Sequence, residues 1–203
     1  MERTGSALPL VRLAIPVVAG LLTGVLTLAA QAVLPEALNR LANSGAIWVT
    51  VAFVVGALIG DWRAAAFAGT VTLLLAVGGY YAAAGVAGAG VSVGALAIWG
   101  GTAIVGGPVY GAAGWAWYAR RDRAEAIAAA LLGAVYLAEG VYTLLVVPAM
   151  APAGVVEVVV GVLLGAALPR SRDNRRTALL LLVPLAVAGT AGYLLIDQLF
   201  LAR

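Results

Sequence analysis

RRDRAEAIAAALLGAVYLAEGVYTLLVVP, residues 120–148, decides how the rest of the chain is read. Arg120, Arg121 and Arg123 form a charged block, an apolar run follows, and Pro148 ends it. A bilayer core needs about 20 consecutive apolar residues per helix, so the stretch from 125 to 148 reads as a membrane span rather than as the buried helix of a soluble domain. Within that run a carboxylate, Glu139, stands between Tyr136 and Tyr142 at three-residue intervals on one helix face.

Working outward, the same pattern recurs along the chain. Runs bounded by charge or proline lie at about 11–34, 45–60, 64–86, 93–118, 125–148, 153–169 and 177–200, which predicts an all-α polytopic transmembrane bundle of seven spans in a single domain, 1–203. Composition agrees: of 203 residues 64% are apolar and 10% charged, with a mean hydropathy of +1.05. The second and sixth runs are the shortest and need a separate check.

Arginine placement supplies it. With seven alternating spans one side receives Arg3, Arg12, Arg63, Arg120, Arg121, Arg123, Arg170, Arg172, Arg175 and Arg176, ten in all, against two, Arg40 and Arg203, on the other. Removing the sixth span leaves seven against five. The positive-inside rule therefore favours seven spans, with the N-terminus inside and the C-terminus outside. Arg3 and Arg12 ahead of an apolar run ending Ala30-Gln31-Ala32 imitate a secretory signal, but that run exceeds the usual length of such a core, so it is expected to stay as the first span.

The chain contains no histidine, cysteine or lysine. Thiol and disulfide chemistry are excluded, as are a lysine Schiff base and a phosphate-loop lysine, and the commonest general base is missing. No catalytic residue, metal site or cofactor is assigned. Gly90-Val91-Ser92-Val93-Gly94 matches the nucleophile elbow only in letters, because that motif needs a strand-to-helix turn and a histidine. The net charge of +3 does not indicate nucleic acid, since the arginines sit at span ends, where anionic lipid headgroups are the expected partners.

Few polar groups enter the spans, and those that do are costly. A carboxylate near mid-membrane costs about 2.5–3.5 kcal/mol on insertion scales, which singles out Glu139, Glu157 and Asp197. Counting along alternating spans places all three in the outer half, with Gln31, Tyr80, Tyr81, Trp99 and Tyr142 at the same level, while Tyr193 precedes Asp197 by one helical turn. The expected ligand-binding set is Glu139, Tyr142, Glu157, Gln31, Tyr193 and Asp197, arranged to hold or transport a small polar or cationic molecule. The alternative is an accessory or assembly subunit, serving a membrane or cytoplasmic partner, whose polar groups only satisfy one another. Glu139→Gln would then be nearly silent.

Glycine is abundant, at 26 residues, and most of it must lie inside helices. The pairs Gly20/Gly24, Gly56/Gly60, Gly107/Gly111 and Gly161/Gly165 repeat the small-xxx-small spacing that lets helix backbones approach. Gly100, Gly101, Gly106, Gly107 and Pro108 predict a kink in the fourth span, and Pro184 a bend in the seventh.

At Leu41-Ala42-Asn43-Ser44-Gly45-Ala46-Ile47-Trp48, Gly106-Gly107-Pro108-Val109-Tyr110-Gly111 and Ala138-Glu139-Gly140-Val141-Tyr142, the chain resembles an uncharacterised family of small multi-pass bacterial membrane proteins, a domain of unknown function. The resemblance extends over most of the chain. It implies a bacterial plasma membrane and carries no activity with it.

Overall fold

The computed structural model describes residues 7–201, with side chains described from 14 to 200. Arg3 and Arg203, both counted in the arginine partition, lie outside the described residues, as does the Arg12 side chain. The chain forms α1 (Ala7–Val33), α2 (Glu36–Ala42), α3 (Gly45–Ala57), α4 (Trp62–Val86), α5 (Val93–Ala119), α6 (Arg123–Val146), α7 (Ala151–Ala167) and α8 (Arg172–Leu201), with one 3-10 turn, Pro148–Met150, leading into α7. No strand occurs among the described residues. Backbone polar groups in hydrocarbon must be satisfied within the segment, so apolar runs of this length adopt helix.

Among the described residues seven helical stretches are long and apolar enough to cross a bilayer, which makes this a multi-pass membrane protein with the all-α architecture expected from sequence. Two crossings are assembled differently from expectation. The second is composite, from Glu36 to Ala57, because α3 alone is about 20 Å long against a hydrocarbon core of about 30 Å. α2, read from sequence as an outer connection, supplies the missing depth. The sixth likewise begins at Pro148, five residues before its expected start. α8 starts at Arg172, so its arginines form the first helical turns rather than a loop.

α6 is the central helix. It packs on α7, α8, α5 and α3, while α4 packs on α1, α5 and α3, so that α1, α3, α4 and α5 form one group and α6, α7 and α8 another. The groups meet along α5–α6 and α3–α6, and α2 reaches across to α7. α5 and α8 flank the junction without packing along each other.

Lipid offers no hydrophobic drive for helix association, so close packing of small residues carries it. Gly133 and Gly140 of α6 face Gly161 and Gly154 of α7, and a Cβ at either α6 position would come within 2.6 Å of a carbonyl oxygen of the facing glycine. Gly20 and Gly24 pack on α4, and Gly107 and Gly111 on α4 as well, while Gly56 abuts Gly111. Gly60 meets nothing within 4 Å, so its pairing with Gly56 is spacing without contact. α5 runs through Pro108 as one uninterrupted helix.

The arginine-rich end is clasped by Glu125, a residue that reads in sequence as an ordinary span end but is only 1% exposed. Its carboxylate accepts from Arg170 N at 3.0 Å, Arg170 Nη1 at 3.0 Å and Asn174 Nδ2 at 2.7 Å. The same Arg170 guanidinium lies 4.6 Å over the Trp117 ring and donates to the Trp117 carbonyl. α5, α6 and the start of α8 are thereby tied by one ion pair.

Candidate functional site

The chemistry gathers where the second crossing breaks. Asn43 ends α2, and Ser44, in extended conformation, caps α3 by accepting from Ile47 N at 3.4 Å. Asn-Ser-Gly followed by an apolar run is a helix-start signal, and here it opens a helix N-terminus inside the bundle. The first amides of a helix are free donors carrying partial positive charge, a setting that favours an anion.

Glu139 occupies it. Its Oε2 accepts from Ser44 Oγ at 2.9 Å, Ala46 N at 2.8 Å and the Tyr193 hydroxyl at 2.8 Å, while Oε1 accepts from Gly45 N at 3.2 Å. Arg40 Nη2 stands 3.7 Å from Oε1, close enough for ionic attraction but too far for a hydrogen bond. The carboxylate is 2% exposed, and every neighbour donates. Lying sixteen residues into α6, it is about 24 Å from the arginine-rich end and about 10 Å from the other.

Further groups surround this centre. Tyr193 stacks on Tyr142 at 5.6 Å, the Arg40 guanidinium lies 5.0 Å over the Tyr142 ring, and Asp197 stands beside the Tyr142 hydroxyl. Glu157, 1% exposed, neighbours Glu139 across the α6–α7 contact, its Oε2 lying 3.4 Å from Thr143 Oγ1. Glu139, Tyr142, Glu157, Tyr193 and Asp197 therefore come together. Gln31 does not: its carbonyl accepts from Asn39 Nδ2 at 2.7 Å at the α1–α2 corner. Ser44, Gly45, Ala46 and Thr143 complete the site without having been assigned to it from sequence, although the first three lie in the 41–48 segment of the family resemblance and Ser44 and Gly45 in its capping signature.

A cavity of about 810 Å³ opens beside the cluster, between α3, α4, α5 and α8. Trp48, Tyr80, Tyr81 and Trp99 wall it with aromatic surface, and Gly45 and Tyr193 form the wall behind which Glu139 sits. Trp48 is held by its Nε1 donating to Thr27 Oγ1 at 3.0 Å, and Tyr80 meets Tyr81 edge-on at 5.2 Å. Between α5 and α8 the rim is bridged by Trp99 and Phe200, 6.1 Å apart. Gly101 also lines the cavity, and a Cβ there would meet nothing within 4 Å.

Helices, cluster and cavity all lie within one matched stretch. The chain belongs to DUF6518, a family of unknown function, whose model matches residues 3–199. No curated protein and no solved structure matches it. The resemblance noted at the Asn43-Ser44-Gly45, Gly106-Gly107-Pro108 and Ala138-Glu139-Gly140 segments thus falls on residues of this DUF6518 chain that cap α3, pack α5 on α4, and carry the buried carboxylate. Elsewhere in the DUF6518 chain, Ser92 of the Gly-x-Ser-x-Gly match caps α5 by accepting from Ala95 N, an ordinary structural role. Arg172, Arg175 and Arg176 line a groove of about 350 Å³ with Leu179 and Leu180.

Proposed function

We propose that this protein binds, within the membrane, a small molecule with an apolar body and a polar or cationic end. The cavity between α3, α4, α5 and α8 carries this reading: its volume is in the range of small-molecule sites, and aromatic faces favour both apolar and cationic groups. The polar end of the occupant lies at Asn43, Gly45 and Tyr193, and its body lies among Trp48, Tyr81 and Trp99. Because α5 and α8 do not pack along each other, entry from the lipid between them is the route we favour. On the positive-inside rule the arginine-rich face is cytoplasmic and the cavity lies in the outer half of a bacterial plasma membrane.

The accessory-subunit reading also has an observation in its favour, since Glu139 and Glu125 are both fully engaged by donors of their own chain. A stabilisation screen in lipid nanodiscs with alkylamines and the matching alcohols separates the two. Binding predicts a rise in melting temperature that Gly101→Phe abolishes by filling the cavity. A screen without hits, or equal shifts in wild type and Gly101→Phe, supports the accessory role.

A further inference from the structure

Among the described side chains two buried polar atoms have no hydrogen-bond partner, Arg40 Nε and Glu157 Oε1, and both belong to the group around Glu139. The charges there do not balance if both acids are ionised. Glu139, with its four donors, is held as the anion and offsets Arg40. Glu157 faces Glu139 and Tyr136 from α6, Arg40 from α2 and Tyr193 from α8, with Asp197 and Tyr142 the remaining titratable groups of the cluster. No second cation is among them, and an unpaired charge in this setting costs several kcal/mol.

Thr143 has one hydrogen, which it donates to the Glu139 carbonyl at 2.8 Å, so at 3.4 Å it offers Glu157 Oε2 no more than a weak shared donor, and Glu157 Oε1 has none. We propose that Glu157 is a proton-binding site, protonated in this conformation and exchanging with water at the arginine-poor face by way of Arg40. In the exchange the carboxyl O–H bond breaks, the proton passes to water, and the charge left on Glu157 is met by the Arg40 guanidinium. Arg40 is free to turn because it holds Glu139 only at 3.7 Å, its Nε is unpartnered, and its side chain is 22% exposed. Glu139 keeps its four donors throughout. The inference is independent of the cavity, which Glu157 does not line.

Infrared spectroscopy of the purified protein in lipid tests it through the carbonyl stretch of a protonated carboxyl group. The wild type should show this band at neutral pH, shift it in D2O, and lose it as pH rises. Glu157→Gln, which mimics the neutral acid, should remove the band and leave the melting temperature unchanged. A wild type without the band, or a band that persists in Glu157→Gln, overturns the proposal. Should Glu157→Gln fail to fold, the neutral-acid assignment is wrong on that count alone.

Discussion

Glutamine at position 139 is the most informative single change, because it is nearly isosteric with glutamate and yet should not be tolerated. A carboxylate offers only acceptors, and the cradle offers only donors: Ser44 Oγ, Gly45 N, Ala46 N, the Tyr193 hydroxyl and, at longer range, Arg40. An amide must place its NH2 on one side. On the Oε1 side it faces Gly45 N–H and Arg40, neither of which can accept. On the Oε2 side the Ser44 and Tyr193 hydroxyls can rotate to accept, but Ala46 N–H, 2.8 Å away, cannot. Either orientation strands one backbone donor, at about 1–3 kcal/mol for a buried unsatisfied group.

Loss of the charge adds to this by stranding Arg40. Removing one partner of a buried pair costs about 3–5 kcal/mol, but Arg40 is partly exposed and Glu157 can ionise to replace the lost anion, so only a fraction applies. The expected destabilisation of Glu139→Gln is about 2–4 kcal/mol, measured by reversible denaturation in mixed micelles against wild type. A change below about 0.5 kcal/mol would refute the donor cradle, since no glutamine rotamer satisfies it.

Tyr193→Phe keeps the stacking on Tyr142 and the cavity wall while deleting one bond to Glu139; a loss of about 1.5–3 kcal/mol is expected in the same denaturation assay, as for a hydrogen bond to a charged group. Gly140→Ala forces a Cβ to within 2.6 Å of the Gly154 carbonyl and should cost about 1–3 kcal/mol, whereas Gly78→Ala, with open space around it, should be neutral or stabilising by about 0.5–1 kcal/mol; melting temperatures in detergent compare them. Glu125→Ala leaves Arg170 N–H and Asn174 without their acceptor and should lower stability by about 1–3 kcal/mol, reduced from the fully buried figure by the exposure of Arg170, on denaturation beside wild type. The Arg120 guanidinium holds the Asp122 carboxyl below its ordinary range, so its contribution is present above the unfolded value and lost as pH falls through the lowered one. Melting curves of wild type and Asp122→Asn should accordingly converge on acidification.

The spans were legible because length and apolarity are properties of a run, and the arginines confirmed their number. Counting along alternating helices put Glu139, Glu157, Asp197 and Tyr142 at one level, and the structure brings these four together. Counting gives level and not azimuth, which is why Gln31 shares the level and not the site. The α2–α3 break was hidden because Asn39, Arg40 and Asn43 read as an outer connection, whereas those residues continue the crossing as a short helix. Pro108 lies within a continuous α5, while the extended Ser44 divides the second crossing. Gly133 and Gly140 escaped notice because their spacing of seven shows only once α7 presents Gly154 and Gly161 opposite them.

The division of labour among the three acids follows from what each faces. Glu125 meets a guanidinium and an amide at a helix end, where a carboxylate fastens helices. Glu139 meets amides and hydroxyls of α3 and α8, so its charge is spread over donors whose positions are set by the cavity wall, through Gly45 and Tyr193. Glu157 meets the Thr143 and Ser44 hydroxyls, each already donating elsewhere, and an arginine that another acid already occupies. A group in that position can change charge without unmaking the fold, because Arg40 has somewhere to turn and Glu139 loses none of its four donors when it does.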